Sequence, residues 1–315
     1  MTFFSNSFAS PLPIEPYQYK MIQAADFYKY CLDKIQRHPN VFLLKEDIVS
    51  VEAADGQVKI QLVNGAELIY ENAIGFNSIP NKYEPRTGDI MLLQHFKGWI
   101  IKTDDAVFDN GKATLMDFRV SQQRGTSFVY VLPLDNNRAL VEYTLFTELV
   151  LEDEEYDIAL RNYCKTFLQL QDYEITHEEK GAIPMNNLHY PTQINGMQQI
   201  GTAGGQTKAS SGYTFQFIQK QSDELAQQLK SGNYQPGLKT AKWRFRFYDH
   251  TLLHILYNRQ YPGDKIFTTL FRKNPATRVL RFLDNETSLP EELKLLWTLP
   301  TWPFLKAAIQ KRRTY

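Results

Sequence analysis

The chain has 315 residues, of which 43% are hydrophobic, and it balances 35 Lys and Arg against 35 Asp and Glu. This length allows one large or two ordinary domains with a substantial core. A net charge of zero gives no sign of nucleic-acid binding by the chain as a whole. From Pro236 onward, however, fifteen Lys and Arg face six Asp and Glu. That excess suits either a solvated helical face or contact with anionic lipid.

The remaining composition narrows the class of protein further. Cys31 and Cys164 both fall in predicted helices, so we expect reduced thiols and a cytoplasmic protein. The sequence has neither a signal-peptide pattern nor an apolar run long enough to cross a bilayer. Its six histidines lack zinc-site spacing, which predicts no metal centre.

The first 77 residues are predicted to mix helix and strand. Residues 1–20 contain three prolines and are expected to be irregular. Apolar spacing and turn residues predict a helix over 26–35, a buried strand over 41–44, a hairpin of 48–53 and 58–63 closed by Asp55-Gly56, and strands over 67–70 and 73–77.

The middle of the chain is rich in strand patterns. Runs at 91–103, 113–118, 127–132 and 138–145 are separated by turn residues and predict an antiparallel sheet. Acidic residues from Glu152 open a predicted helix that runs to about Leu170, where they favour the positive helix N-terminus.

A glycine-rich loop is the most informative segment of the sequence. It follows a predicted strand at 197–200 and precedes a predicted helix at 214–230. Closely spaced glycines let backbone amides approach an anion, and the helix dipole favours negative charge there. This pattern fits a pyrophosphate or flavin site, although a plain tight turn has the same sequence signature. The candidate cofactor-binding residues are Gly201, Thr202, Ala203, Gly204, Gly205, Lys208, Ser211, Gly212 and Tyr213.

Helices are predicted to dominate from Lys239, with breaks at Pro262-Gly263, Pro275, Pro290 and Pro300. Together these patterns predict an α/β fold. A parallel-sheet domain is interrupted by a β-rich insertion, continues at the glycine loop, and ends in a helical C-terminal region.

Glu142 is the first candidate catalytic residue. Alternation along residues 138–146 places Leu140, Glu142 and Thr144 on one strand face. If that face lines an apolar cavity, desolvation raises the pKa of Glu142, which could then donate a proton or stabilise a carbocation. The alternative is an ordinary glutamate exposed to solvent.

Asp117 is the second candidate. It shares a strand face with Arg119, so the two residues could simply form an ion pair. Alternatively, Asp117 could orient a catalytic group or flank a ligand cavity.

Several segments in this order resemble the flavin-dependent lycopene cyclase family, of the bacterial lycopene β-cyclase type. The resemblance covers nearly the whole chain and rests on the order and number of modest motifs. They are Tyr19-Lys20-Met21-Ile22, Phe76-Asn77-Ser78, Gln94-His95-Phe96, Met116-Asp117-Phe118-Arg119, Phe128 to Pro133, Ala139 to Thr144, Gly181 to Met185, the glycine loop to Phe215, and Arg246-Phe247-Tyr248-Asp249.

The resemblance implies the fold of aromatic-ring flavin hydroxylases, in which a split Rossmann-like FAD-binding domain carries an inserted antiparallel β-sheet. It places the second FAD motif at 201–212, and the family's acidic residues at Glu142 and Asp117. The implied division is 1–85 for the remainder of the FAD-binding domain, 86–190 for the β-sheet substrate domain, 191–232 for the second FAD-binding segment and 233–315 for helices associated with a membrane surface.

One family feature has no counterpart in this sequence. The first βαβ unit, with the glycine fingerprint that binds the ADP part of FAD, is missing. A fragment, a misassigned start, or a piece supplied elsewhere would each account for this. The expectation is poor solubility and weak or absent FAD binding for the chain alone.

The implied reaction is closure of the ends of lycopene, or a similar linear carotene, to β-ionone rings. Protonation starts this redox-neutral reaction, which in this family needs reduced FAD and NAD(P)H as external reductant. The basic, aromatic helices, including 243–247 and 297–313, would then meet the membrane peripherally. Two other hypotheses are a flavin monooxygenase of the same fold and a non-catalytic remnant that binds a hydrophobic ligand or membrane.

Overall fold

A computed structural model describes residues 1–79, 86–237 and 243–312. Three predicted positions fall outside these ranges: the domain boundary at residue 85, the start of the C-terminal helices at Lys239, and Arg313.

The strands are β1 Thr2–Ser5, β2 Phe8–Pro11, β3 Ile48–Ala54, β4 Gln57–Leu62, β5 Glu67–Tyr70, β6 Phe76–Asn77, β7 Met91–Lys102, β8 Thr114–Asp117, β9 Thr126–Pro133, β10 Arg138–Thr147, β11 Glu174–Asn186, β12 Gln193–Ile194 and β13 Met197–Gln199. The helices are α1 Ala24–Gln36, α2 Asp153–Thr166, α3 Phe215–Ser231, α4 Trp243–Tyr257, α5 Gly263–Lys273, α6 Ala276–Leu283, α7 Leu289–Leu296 and α8 Thr301–Arg312.

A seven-stranded sheet with the order β11-β7-β10-β9-β8-β1-β2 is the centre of the molecule. Its long strands β7, β9, β10 and β11 pair antiparallel, as the sequence predicts for the first three. Alternation along these strands gives the sheet two faces, each covered by a separate apolar cluster.

Helix α2 covers one face of this sheet. Tyr156, Leu160 and Tyr163 of α2 are buried against Trp99 and Val141 from the strands. The C-terminal helices cover the other face. There Leu253, Phe267 and Val279 pack with Phe128 and Phe146. We call these the α2 face and the C-terminal face.

A smaller parallel pairing joins distant parts of the chain. Strand β13, which leads into the glycine loop, pairs parallel with β6, and β12 pairs with β13. Segments on either side of the large sheet therefore meet in one small sheet, as expected for an interrupted parallel-sheet domain. The chain forms a mixed α/β fold with sheets and C-terminal helices, in agreement with the predicted class.

The hairpin β3–β4 forms where it is expected, with β5 added to it. Its turn residues Asp55 and Gly56 have φ of 52° and 78°, the left-handed conformation that an Asp-Gly hairpin turn requires. Helix α1 also forms as predicted, but none of its residues is buried.

Two predictions for the N-terminal region are wrong. Residues 41–44 form no strand and are exposed, with Phe42 83% exposed, because no described strand lies beside them. Residues 2–11, expected to be irregular, form β1 and β2 at one end of the large sheet. Phe3 is fully buried there, so this segment is part of the core of the large sheet.

None of the described helices is both long enough and apolar enough to span a membrane. The helices α4 to α8 are short, and prolines separate or begin several of them. Pro290 lies in the first turn of α7 rather than between helices.

Candidate functional site

The glycine loop occupies residues 201–212, between β13 and α3, as the sequence predicts. Gly201, Gly205 and Gly212 have φ of 61°, 74° and 68°, which residues with a Cβ rarely adopt. At Gly204 a Cβ would lie only 2.6 Å from the carbonyl oxygen of Gln199. Glycine is therefore required at these positions by the backbone and by close packing.

Many amides of this loop are used within the loop itself. The amide of Gly205 donates to Thr202, and those of Ser211 and Gly212 both donate to the carbonyl of Lys208. Gly201 donates to the side chain of Gln221 on α3. These amides stabilise the turns, so a bound anion would have to use the others.

Other amides of the loop and of the first turn of α3 are not used in this way. Within the described ranges, the amides of Thr202 and Ala203 donate no hydrogen bond. The N-terminus of α3 also lacks a side-chain cap, because Thr214 makes no capping hydrogen bond. Uncapped first-turn amides and the helix dipole together favour an anionic group. This part of the loop fits the phosphate or ribityl part of FAD.

The end of the loop packs on the C-terminal face of the sheet. A Cβ on Gly212 would lie 2.3 Å from Oε1 of Gln94 on β7. This Gln94 oxygen is buried and has no hydrogen-bond partner in the described structure. A buried acceptor without a donor costs about 1–3 kcal/mol, so a ligand N–H or O–H that reached Gln94 would be favoured.

Glu142 lies on the same face of the sheet. Its strand pairs β7 and β9, with Glu142 opposite Gly98 and Tyr130. The side chain is half-buried, and Oε1 accepts a 2.8 Å hydrogen bond from the Thr144 hydroxyl. Desolvation is the main reason that the pKa of Glu142 rises to about 8, and the neighbouring Glu179 raises it further. Glu142 is therefore mainly protonated at neutral pH.

Aromatic hydroxyls connect Glu142 to the glycine loop. Tyr130 lies directly opposite Glu142, and its hydroxyl interacts with that of Tyr213, the residue after Gly212. Burial raises the pKa of both tyrosines, so both remain neutral hydroxyls. Gln94 and Gly98 are four residues apart on β7, which corresponds to roughly 13 Å along the strand. The Glu142 carboxyl and the end of the glycine loop therefore lie on the same face of the sheet, roughly 13 Å apart along β7.

Asp117 lies elsewhere. It pairs with Val129, whose side chain is on the α2 face, and it is fully buried. Its carboxylate accepts hydrogen bonds from Arg119 at 2.5 Å and from the Tyr163 hydroxyl at 2.8 Å. The ion pair that the sequence allowed is therefore present, and the structure does not bring Asp117 together with Glu142.

The side chain of Lys208 points away from the Thr202 and Ala203 amides and contacts other side chains. Its ammonium group is buried, 2.7 Å from Asp249 of α4 and 2.8 Å from Asn285. The Ser210 hydroxyl donates to the same Asp249 carboxylate. These contacts anchor the loop to the C-terminal helices and leave no ammonium free for a phosphate.

Three residues at this site were missed by the sequence reasoning. Glu179 lies on β11, a strand that the sequence reasoning did not predict because its exposed half shows no apolar alternation. Gln94 was noted only as part of a motif, and burial reveals its unpaired oxygen. Tyr19 interacts electrostatically with Glu142, and burial and this interaction raise the tyrosine pKa. The one sequence signal for Glu179 was its position, as an acidic residue two places before the Gly181 to Met185 motif.

The architecture matches that of flavoproteins with a split Rossmann-type domain. A geranylgeranyl bacteriochlorophyll reductase-like protein from Thermoplasma acidophilum superposes with a TM-score of 0.55 at 13% identity, covering 99% of this chain and 79% of the other. A flavoprotein/dehydrogenase from Cytophaga hutchinsonii gives 0.52 at 12% identity, covering 99% and 81%. At such identities the comparison defines the fold alone, which this chain shares with these two proteins.

The sequence comparison is more specific. The family described as lycopene cyclase protein matches residues 9–309, and the chain belongs to this family. A lycopene beta-cyclase from Pantoea ananas is 26% identical over 205 residues, which is 61% of this chain. The match spans 53% of the length of that relative. The resemblance inferred from the motifs is confirmed at the level of the family.

Proposed function

We propose that this protein closes the ends of a linear carotene such as lycopene to β-ionone rings. Family membership supports a carotene substrate. The observation that carries the proposal is a carboxyl group, Glu142, that is half-buried and has a pKa of about 8, on the sheet face where the glycine loop packs. A protonated carboxyl in an apolar, aromatic environment suits transfer of a proton to a hydrocarbon.

In the proposed reaction the Glu142 carboxyl donates its proton to the terminal double bond of the carotene. The neighbouring double bond attacks the resulting cation and closes the six-membered ring. Loss of a ring proton gives the new double bond, so the reaction is an isomerisation without net oxidation. Tyr130 and Tyr19 interact with the carboxyl, and Tyr213 interacts with both of these tyrosines. Aromatic rings at such a site can stabilise positive charge.

FAD is the proposed cofactor, and this chain's residues fit part of it. The open amides of Thr202 and Ala203 and the uncapped start of α3 would hold its anionic part, and the free oxygen of Gln94 would accept a hydrogen bond. Reduced flavin, when bound, supplies negative charge that lowers the energy of the carbocation. NAD(P)H is the proposed external reductant.

A peripheral position on the cytoplasmic membrane surface is proposed because the substrate is a lipid-soluble hydrocarbon. A cavity of about 330 Å³ lies among the C-terminal helices and is lined mainly by apolar side chains. At its edge Trp297 is 83% exposed, close to exposed Leu293 and Leu305. Exposed Trp and Leu at the edge of an apolar cavity suit a membrane interface.

Expression in lycopene-accumulating bacteria tests the proposed reaction. We expect the cells to change from red to orange, with cyclic carotenes found by chromatography. Glu142→Gln should lower cyclisation at least about 100-fold because the amide has no acidic proton. The matched control Glu67→Gln removes an exposed carboxyl from β5 and should have no effect.

Retained cyclisation by Glu142→Gln would remove this residue from the mechanism. Oxygen and NAD(P)H consumption with a hydroxylated product would instead indicate the monooxygenase hypothesis. Absence of flavin absorbance in the purified chain, together with absence of any product, would indicate a non-catalytic protein.

Vesicle flotation tests the membrane proposal separately. Trp297→Ala should weaken binding to anionic vesicles severalfold, because an interfacial Trp contributes on the order of 1 kcal/mol or more to partitioning. Phe42→Ala removes an aromatic ring that is equally exposed but lies outside the C-terminal helices. Equal loss in the two variants would contradict a membrane-binding surface at the cavity.

A further inference from the structure

Glu142 has a second carboxyl group as its neighbour across the sheet. Glu142 on β10 lies opposite Gly98 on β7, and Gly98 lies opposite Glu179 on β11. Directly opposed residues of antiparallel strands point to the same face. The two carboxyl side chains therefore project from one face with only a glycine between them.

The glycine provides the space that brings these carboxyls together. A Cβ at Gly98 would lie 3.1 Å from Cγ and 3.2 Å from Oε1 of Glu179, and 3.0 Å from Cδ1 of Leu140. The Glu179 carboxyl thus lies over Gly98 and hydrogen-bonds Glu142. The backbone of Gly98 is not left-handed, so its lack of a side chain, rather than its φ, is what matters here.

This pairing of two acids differs from the other buried carboxyls of the chain. Asp117, Asp249 and Glu292 each lie within 3 Å of a Lys or Arg nitrogen. Within residues 1–79, 86–237 and 243–312, by contrast, no ion pair joins a cation to Glu142 or Glu179. Two carboxyls in hydrogen-bond contact cannot both be ionised without a large repulsion, so the pair retains a proton.

The other titratable groups on this face of the sheet, or packed against it, come from six elements. They are Tyr130 on β9, Tyr19 in the segment before α1, Tyr213 after the glycine loop, Lys102 and His177 farther along β7 and β11, and Arg138 at the start of β10. Arg138 pairs with Asp135, and Lys102 lies 3.9 Å from Glu174. The tyrosine hydroxyls are neutral, so Glu179 is the ionisable group in direct contact with Glu142.

We infer that Glu179 is a positioning residue that holds the transferable proton on Glu142. Its carboxylate accepts the Glu142 O–H, while the Thr144 hydroxyl fixes the other Glu142 oxygen. Both carboxyls are half-buried, so the pair can exchange its proton with water. The pairing of the two carboxyls does not depend on the proposed function. Only the transfer of the Glu142 proton to a carotene rests on it.

The proton count balances through the proposed reaction. The Glu142 O–H bond breaks as a C–H bond forms on the inner carbon of the terminal double bond, which leaves the positive charge on the carbon that bears the two methyl groups. The carbocation then faces two carboxylates, whose repulsion its positive charge offsets. When the ring loses a proton, the pair takes it up and returns to its starting state, so no electrons are exchanged.

The test uses infrared titration of the full chain carrying ¹³C-labelled glutamate, with Glu142→Gln identifying the Glu142 band. In Glu179→Gln the Glu142 titration should move down by on the order of one pH unit or more, because a like charge is removed. Gly98→Ala should move it in the same direction, since the added methyl group forces the two carboxyls apart. The alkaline limb of kcat/KM for cyclisation should shift by the same amount.

Glu178→Gln is the matched control. It removes a carboxylate from the adjacent position, on the opposite face, where Glu178 lies 3.3 Å from Lys97. It should leave the Glu142 titration in place. An unmoved titration in both Glu179→Gln and Gly98→Ala would overturn the inference, even if the protein cyclises lycopene. A shifted titration supports the pair, even in a protein that forms no cyclic product, because the infrared signal needs no substrate.

Discussion

The strand carboxyls on the two faces of the seven-stranded sheet have opposite kinds of neighbour. On the α2 face, His95 is fully buried between the hydroxyls of Tyr156 and Thr147, at 2.5 and 2.6 Å. Lys97 on the same face is 2.5 Å from Asp157. Asp117, as described above, is neutralised by Arg119. Each of these groups is compensated by a direct partner.

On the C-terminal face, the strand carboxyl Glu142 has no ion pair with a cation among the described residues. Glu142 contacts another carboxyl. Each face also has a buried polar atom without a hydrogen-bond partner among the described residues, Oε1 of Gln94 on this face and Nε1 of Trp99 on the α2 face. The same strands supply both faces, so strand pattern and burial alone do not separate a structural polar group from a functional one. The neighbouring groups distinguish the two kinds of polar group, because a perturbed group without a neutralising partner is poised to react or bind.

Asp117→Asn is expected to have the largest effect on stability. It leaves Arg119 facing a neutral amide and disturbs the Tyr163 hydrogen bond, which should lower the free energy of unfolding by about 3 kcal/mol. Denaturant unfolding measures this change. If Asp117→Asn instead leaves stability intact and abolishes cyclisation, the conclusion that Asp117 serves stability rather than the reaction is wrong.

Glu142→Gln should change how stability depends on pH. The folded pKa of about 8 lies above the unfolded value, so the folded state holds a proton that the unfolded state releases. The stabilisation is complete below about pH 4.5 and is lost as pH rises toward 8, with a slope of at most about 1.4 kcal/mol per pH unit. The variant should lose this slope in thermal unfolding measured from pH 5 to 8.

His95→Gln should change how stability depends on pH on the acid side. Burial lowers the pKa of His95 to about 4, so the unfolded state binds the proton more tightly. Its contribution to stability is complete above the ordinary histidine pKa of about 6.5 and is lost as pH falls toward 4. The variant should therefore unfold with a flatter acid limb. A parallel acid limb in wild type and variant would contradict a neutral, buried His95.

Gly212→Ala should have the smallest effect on folding and a specific effect on the site. A left-handed Ala costs about 1–2 kcal/mol, and the methyl group would also strike Gln94. Gly232→Ala is the control, because Gly232 has φ of 70° with no atom within 4 Å of an added Cβ. We expect flavin binding, followed by fluorescence, to weaken only in Gly212→Ala. Equal effects would show that the contact with Gln94 does not matter.

Local sequence signals determined much of this protein. The Asp55-Gly56 turn, the alternation along β7, β9 and β10, and the glycine loop before α3 each depend on residues close together in the chain. Short-range backbone and periodicity rules are enough for such elements. They also placed Glu142 and Thr144 on one face, as observed.

Only the tertiary structure decided what those side chains meet. The Glu142–Glu179 contact requires β7 and its Gly98 to lie between two strands that are distant in sequence. The ion pair of Lys208 with Asp249 likewise depends on docking of α4. Residues 41–44 are exposed because no strand in the described part of the chain lies beside them. Burial, desolvation and partner charge arise from non-local packing, and for that reason the chemistry of this site could not be deduced from spacing along the chain alone.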